Sequence, residues 1–145
     1  MQRATITEQP IDPATLLQNL GDEGDGAALL FVGNVRRENE GRAVSGMRYD
    51  AYQEMAEKVL GEIVEEAINV AGSARIRAIH RIGELTVGET SVAIAVATPH
   101  RAQAFDAGRY IIEEIKKRLP VWKQEHYVTG ESDWLAGQTP KVAHE

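Results

Sequence analysis

The chain has 145 residues and a formal net charge of −6, from 22 acidic and 16 basic side chains. A net acidic chain is unsuited to general binding of nucleic acids or anionic membranes, which attract basic surfaces. The absence of cysteine excludes disulfides, cysteine-based zinc sites and thiolate nucleophiles. With no apolar run typical of a signal peptide or membrane span, we expect a cytoplasmic protein. The length predicts one domain over residues 1–145, with a polar tail from about residue 137.

The N-terminal part predicts a short strand in RATITE (3–8) and a short helix in PATLLQNL (13–20). GAALLFVGNV (26–35) is nearly continuous in apolar residues, which predicts a buried strand. The polar segment RRENEGR (36–42) then predicts a loop.

The central part predicts a strand over 43–52 and a long helix over 53–72. Two further strands follow over 74–83 and 90–98, joined by the turn-rich segment ELTVGE (84–89). The helix carries an apolar stripe with a period of 3.6 residues, formed by Ala56, Leu60, Ile63, Ala67 and Val70.

The C-terminal part predicts a second helix over 101–119, ended by Pro120, and a strand over 121–128. From Val44 to Val128 the order is therefore strand, helix, strand, strand, helix, strand, the split βαβ order of ferredoxin-like folds. We predict a two-layer α+β fold in which both helices cover an antiparallel sheet. An extra N-terminal strand and helix, and a small β appendage of the α/β-hammerhead kind, would complete it. Such a fold does not determine function.

Two lysines flank the proline. Lys116 lies one turn before the helix end, and Lys123 follows Trp122 on the next strand. A chain reversal at Pro120 could bring the two amines together beside the indole. Neighbouring ammonium groups and partial burial lower a lysine pKa, which would allow one amine to act as base or nucleophile. The residues alone favour a structural interpretation, because Lys116 can pair with Glu113 and cations stabilise a helix C-terminus.

The start of the second helix is the next candidate. Thr98 is a predicted N-cap and Pro99 suits the first helical position, so His100 and Arg101 would fall in the first turn. Unpaired backbone N–H groups there, together with an imidazole and a guanidinium, could bind phosphate. A surface arginine paired with an acid from another element explains the same pattern equally well.

A third candidate is the end of the strand over 26–35. Gly33 permits close backbone approach, and Arg36 follows at a strand end, where ligand contacts are common. Phe31 is most simply a core residue. His80 shares its strand parity with Ile82, which predicts a hydrogen-bonded core histidine. No grouping of His, Asp and Glu has the spacing of metal ligands, and no phosphate-loop motif is present.

Four motifs lie in a specific order across about two thirds of the chain. They are FVGNVR (31–36), HRIGEL (80–85), the pair His100–Arg101, and Lys-x3-Pro-x-Trp-Lys-x-Glu from Lys116 to Glu125. Each motif is weak alone, but their combined order and spacing resemble the MoaE family, the large catalytic subunits of molybdopterin synthase. The resemblance shifts the interpretation of the lysines from structure to catalysis.

The resemblance implies a sulfurtransferase of molybdenum cofactor biosynthesis that converts cyclic pyranopterin monophosphate into molybdopterin. Sulfur would come from the Gly-Gly thiocarboxylate at the C-terminus of a small ubiquitin-like partner subunit. The implied assembly is a heterotetramer, with a central homodimer of this chain and one small subunit at each end. The pterin phosphate is the substrate, and neither a metal nor another cofactor is implied, nor a nucleic acid or membrane partner.

Residue roles follow from the same motif positions. The resemblance implies that Lys116 and Lys123 form the catalytic pair. Lys123 is the first choice for acid–base or nucleophilic work and Lys116 for holding the thiocarboxylate, although the division of labour stays open. The substrate pocket would be formed by Arg36, His100 and Arg101 around the phosphate, with Phe31 lining it and Glu125 orienting Lys123.

Two other functions remain as alternatives. A non-catalytic ferredoxin-like module that binds an anionic metabolite would use the same arginines without a reactive lysine. An unrelated phosphoryl-transfer enzyme is disfavoured, because no cluster of magnesium-binding carboxylates is visible. The family's tail can send a basic residue into the neighbouring subunit, but after Trp134 only Lys141 is available and it does not align.

Overall fold

The structure, a computed structural model, describes residues 2–134. The predicted polar tail from about residue 137, including Lys141, lies outside the described residues. The elements in chain order are β1 (Ala4–Thr7), a 3₁₀ helix (Pro13–Leu17), β2 (Ala27–Asn34), β3 (Glu38–Asn39), β4 (Arg42–Ala51), α1 (Gln53–Ala71), β5 (Arg75–Arg81), β6 (Gly83–Thr86), β7 (Thr90–Thr98), α2 (Arg101–Arg118), β8 (Val121–Tyr127) and β9 (Ser132–Trp134). The predicted mixed α+β architecture is confirmed.

The first sheet has the strand order β1-β5-β7-β2, with β1 parallel to β5 and the other pairs antiparallel. Its central strand β7 is buried from Ser91 to Thr98. One face of β7 packs in the main core with α1 and α2, and the other packs Ala93, Ala95 and Ala97 against Leu16 of the 3₁₀ helix. Burial on both faces explains why the sequence of β7 is apolar without alternation.

Strand β2 lies at the edge of this sheet, so the prediction of a buried strand was wrong for it. Its residues are half-buried or exposed, and Phe31 is 37% exposed. The strand contacts α2 and the 3₁₀ helix, which accounts for its apolar composition. An apolar run shows that a strand is covered on its faces, but does not show how many neighbours it has in the sheet.

The second sheet has the order β3-β4-β8-β9, with β6 also paired to β4. The predicted single antiparallel sheet is thus divided in two. The pairs β4–β8 and β5–β7 of the split βαβ order are present. Within residues 2–134, however, no pairing joins β4 to β7, because a strand has only two hydrogen-bonding edges. Those of β7 are occupied by β5 and β2, and those of β4 by β6 and β8.

The helices pack against each other and against the first sheet. The predicted stripe of α1 is buried at Ala56, Leu60, Ile63 and Ala67, whereas Val70 in the last turn is 75% exposed. Gly72 ends the helix with a positive φ of 84°, as the sequence predicts. No helix among residues 2–134 combines the length and apolar character needed to cross a membrane.

Candidate functional site

A cavity of about 430 Å³ lies between the two sheets and the C-terminal half of α2. Its walls come from β2 and β7 of the first sheet, β4 and β8 of the second, and the segment that contains β3. The volume falls in the range of sites for small organic ligands. The cavity brings together five of the predicted site residues, namely Phe31, Arg36, Lys116, Lys123 and Glu125.

The two lysines reach this cavity from opposite sides of Pro120. The helix ends at Arg118, and the N–H of Val121 donates a 2.8 Å hydrogen bond to the carbonyl of Leu119, which closes a tight reversal. Leu119 itself is fully buried and anchors the reversal in the core. Lys123 is 6% exposed, and Lys116 is half-buried. The reversal expected from the sequence therefore brings both side chains to the lining of one cavity.

Alternation along β8 decides which side chains face the cavity. Val121, Lys123, Glu125 and Tyr127 are buried, whereas Trp122 is 39% exposed. The indole packs edge-to-face against Tyr52, with ring centroids 5.8 Å apart. The expectation that the indole lies beside the amines was wrong, because successive side chains of a strand point to opposite faces.

Glu125 is buried in the cavity wall and held by two donors. Its Oε1 accepts hydrogen bonds from Asn39 Nδ2 at 3.1 Å and from the hydroxyl of Tyr127 at 2.6 Å. The bond to the Glu125 carboxylate raises the pKa of Tyr127 to about 12, so this tyrosine stays a donor at neutral pH. The guanidinium of Arg42 lies 3.5 Å from the centre of the Tyr127 ring.

Arg36 follows a segment fixed by the turn between β6 and β7. The N–H of Val35 donates to the carbonyl of Glu89 at 2.9 Å, and the N–H of Gly88 donates to the carbonyl of Val35 at 2.8 Å. The Glu89 carboxylate also accepts from Arg81 at 2.8 Å. Backbone hydrogen bonding from Thr86, and then the Arg81 guanidinium, lower the pKa of Glu89.

Tyr49 and His80 are neighbours of the lysines. Tyr49 is the cross-strand partner of Lys123, and the rings of Tyr49 and His80 meet edge-to-face at 5.1 Å. His80 is 6% exposed and its Nδ1 donates to the carbonyl of Arg81 at 2.8 Å, which confirms the predicted core histidine. Burial, and to a smaller extent the charges of Lys116 and Lys123, lower the pKa of His80 to about 4. The imidazole is therefore neutral at physiological pH.

His100 and Arg101 are not among the cavity-lining residues. Both are exposed at the N-terminal end of α2, whereas Lys116 is in its last turn. At 1.5 Å per residue, Arg101 and Lys116 are about 22 Å apart along the helix axis. The prediction that Thr98 is the N-cap was wrong, because the N-cap is His100. The fully buried Thr98 hydroxyl instead donates to the carbonyl of His100 at 2.7 Å.

Sequence reasoning missed several residues of the cavity. Asn39 lies in the segment predicted as a loop, which instead forms the two-residue strand β3. The signal available was Glu40–Gly41, whose positive φ values of 50° and 81° are those of a tight hairpin turn. The other unforeseen members include Met47, Tyr49, Ser91 and Ile112, whereas Gly33, singled out in the sequence, does line the cavity.

The cavity is lined by two amines, one guanidinium and three carboxylates. The carboxylate of Glu125 is buried, whereas Glu38 and Glu40 are exposed. Cations held in a partly enclosed space can bind an anionic group and stabilise negative charge that develops during reaction. A lysine can also transfer a proton or attack an electrophile. Within the part of the chain described, no three His, Asp or Glu side chains are grouped as metal ligands. The expectation that no metal takes part stays a prediction.

Comparison with known proteins gives concordant results. The family model described as "MoaE protein" matches residues 6–118. The molybdopterin synthase catalytic subunit of Synechococcus elongatus is 45% identical over 129 residues, covering 88% of this chain and 78% of that protein. The corresponding subunit of Halalkalibacterium halodurans is 40% identical, covering 99% and 91%. The crystal structure of molybdopterin synthase from Staphylococcus aureus superposes with a TM-score of 0.88 at 34% identity, covering 94% of this chain and 98% of that one.

Proposed function

The chain belongs to the MoaE family of molybdopterin synthase catalytic subunits. On this premise we propose how its cavity catalyses the formation of molybdopterin. The chain is the catalytic subunit of a molybdopterin synthase in molybdenum cofactor biosynthesis. Its substrate is cyclic pyranopterin monophosphate, and the two dithiolene sulfurs come from a thiocarboxylated small partner subunit. The observation that carries the proposal is the shared cavity of Lys116, Lys123 and Arg36.

The lysines perform the chemistry in this proposal. Lys123, buried and next to Tyr49 across the strand pair, acts as the acid–base or nucleophilic group. Lys116 holds the thiocarboxylate and stabilises negative charge on its carbonyl oxygen during attack. Glu125 is fixed by hydrogen bonds from Asn39 and Tyr127. It lies two residues after Lys123 on the same face of β8, so its charge acts on the amines.

The substrate and the sulfur donor enter the same cavity. Arg36 at the exposed end of the cavity binds the phosphate, and Phe31 covers the pterin. The C-terminal Gly-Gly segment of the partner is thin enough to reach the lysines, whereas a folded domain is not. Localisation in the cytoplasm and independence of metals or other cofactors stay predictions.

We assign His100 and Arg101 to the phosphate site of a second copy of the chain. Their distance from Lys116 along α2, about 22 Å, is too long for contact with one small substrate in the same subunit. A homodimer that packs the N-terminal end of α2 against the partner's cavity would bring them to the substrate. Each site would then combine residues of two subunits.

Subunit mixing tests this assignment. Chains with Lys123→Ala and chains with Arg101→Ala are each expected to be inactive or weak as pure dimers. In a mixture, a mixed dimer would contain one intact site, so an equal statistical mixture should recover about a quarter of wild-type activity. If the mixture is no more active than the two variants alone, under conditions where subunits exchange, Arg101 does not act in the cavity of a second chain. It would then act in the cavity of its own chain or in no cavity.

The reaction itself is tested by incubating this chain with the thiocarboxylated small subunit and cyclic pyranopterin monophosphate. The expected product carries the dithiolene, and its formation should be lost with Lys123→Ala. Binding of the pterin phosphate without sulfur incorporation, in the presence of a partner that is active with another catalytic subunit, would support the non-catalytic module instead.

A further inference from the structure

Asn39 lies between two oppositely charged side chains of the cavity, Arg36 and Glu125. Its Oδ1 accepts from the guanidinium of Arg36 at 3.4 Å, and its Nδ2 donates to Oε1 of the buried Glu125 at 3.1 Å. The residues are 3 and 86 positions away in sequence. The amide therefore uses its acceptor toward the cation and its donor toward the anion, the orientation required by the charges on each side.

We propose that Asn39 is a positioning residue for substrate binding, which keeps Arg36 and Glu125 from pairing directly and leaves the guanidinium available to an anion. This proposal rests on the proposed function, since the anion is the phosphate of the pterin substrate. A bidentate arginine–carboxylate pair would occupy the N–H donors that a phosphate needs. Among residues 2–134 the side-chain hydrogen bond of Arg36 is the one to Asn39.

The hairpin that carries Asn39 is built to hold this position. Asn39 and Arg42 are cross-strand partners around the Glu40–Gly41 turn. Arg42 stacks on the ring of Tyr127, whose hydroxyl donates to the same Oε1 of Glu125 that accepts from Asn39. Arg42 also pairs with Glu131 at 2.7 Å. Two adjacent contacts, one polar and one on an aromatic ring, thus dock the hairpin onto one face of β8.

The carboxylate analogue gives the sharpest test. In Asn39→Asp the shape is kept, but above its pKa the new carboxylate pairs with Arg36 and repels Glu125. When it is protonated, the acid donates to Glu125 as the amide does, so the defect should be relieved at low pH. The charged or titratable groups around position 39 are those that line the same cavity, its cross-strand partner and the donor to Glu125: Arg36, Glu38, Glu40, Arg42, Tyr49, Lys116, Lys123, Glu125 and Tyr127. All are common to wild type and variant, so the ratio of their activities isolates position 39.

The experiment measures kcat and KM for cyclic pyranopterin monophosphate from pH 4.5 to 8.5, with saturating thiocarboxylated partner, because an aspartic acid becomes protonated only near the lower end of this range. Asn39→Ala should raise KM about tenfold with a smaller change in kcat. The ratio of its KM to the wild-type KM should be independent of pH. Asn39→Asp should raise KM more than Asn39→Ala at pH 8 and approach wild type as the pH falls. Asn69, exposed on α1, provides the matched controls Asn69→Ala and Asn69→Asp, which should leave both constants unchanged.

Wild-type values of KM in both position-39 variants at all pH values would overturn the proposal. So would a lower kcat at unchanged KM, or an Asn39→Asp ratio that does not vary with pH. The ratio of KM in Asn39→Asp to KM in wild type stays informative even if Asn39→Ala loosens the hairpin. Its change with pH compares the protonated and ionised forms of the introduced carboxyl group in one folded variant. An inactive wild-type chain would instead count against the proposed function.

Discussion

Lys116 and Lys123 line one cavity although they belong to elements of different kinds, the last turn of α2 and the middle of β8. The seven-residue spacing alone does not place two side chains together, since on a continuous helix it would set them two turns apart. The reversal at Pro120 makes the difference, because it folds β8 back beside the helix end.

Replacing either lysine should impair the reaction much more than replacing its neighbour. Lys123→Ala should reduce the single-turnover rate to background, because the acid–base or nucleophilic group is lost. Lys116→Ala should reduce it by at least about 100-fold, the usual range for loss of a group that stabilises developing negative charge. Lys117, exposed and paired with Glu114 at 3.5 Å, is the control, and Lys117→Ala should stay within about twofold of wild type. Equal effects of all three substitutions would show that net charge, and not position, matters.

Arg36 should contribute to substrate binding more than to turnover. Arg36→Ala removes a charge-assisted contact worth about 1.5–3 kcal/mol, so KM for the pterin phosphate should rise by about 10- to 150-fold. The neighbouring Arg37 is also exposed but does not line the cavity, and Arg37→Ala should leave KM unchanged. Steady-state kinetics at fixed ionic strength separate the two. A similar rise in KM for both variants would indicate general electrostatic attraction.

The Arg81–Glu89 pair should affect both stability and substrate binding. Arg81 is 8% exposed and donates to Glu89 and to the carbonyl of Glu84, so Arg81→Met should lower the free energy of unfolding by about 1–3 kcal/mol. Because the same turn holds Val35, KM should rise as well. Arg109→Met removes an exposed contact of 3.9 Å to Glu113 and should cost less than about 0.5 kcal/mol. Chemical denaturation and kinetics measure the two effects.

His80 should make the fold sensitive to mild acid. Its pKa is about 4 in the folded chain and about 6.5 when unfolded, so the unfolded state binds more protons between these values. The free energy of unfolding should therefore be unaffected by this group above pH 6.5 and fall by about 3 kcal/mol as the pH drops to 4.

The variant His80→Gln should remove this part of the pH dependence, measured as the difference from wild type in denaturant unfolding at pH 7 and pH 4.5. His100→Asn, at an exposed position where asparagine can still cap the helix, serves as the control and should follow the wild-type curve. An unchanged slope in His80→Gln would show that other groups cause the loss of stability in acid.

The sequence by itself determined the long elements and the pairing of the two lysines. The long elements have enough residues to show a period of 3.6 residues or a continuous apolar run, as in α1, α2, β7 and β8. Pro120 marks the reversal between α2 and β8. Strands β3, β6 and β9, with two to four residues each, are too short to show any period. Local pattern therefore accounts for the lysines and for the place of His80 in the core.

Only the tertiary structure decided which strands share an edge and which distant side chains meet. The edge position of β2, the two separate sheets and the contact of Asn39 with Glu125, 86 residues away, depend on neighbours that no local pattern specifies. The physical reason is that a hydrogen-bonding strand edge or a buried amide can accept many partners of equal chemistry, and packing of the whole chain selects one.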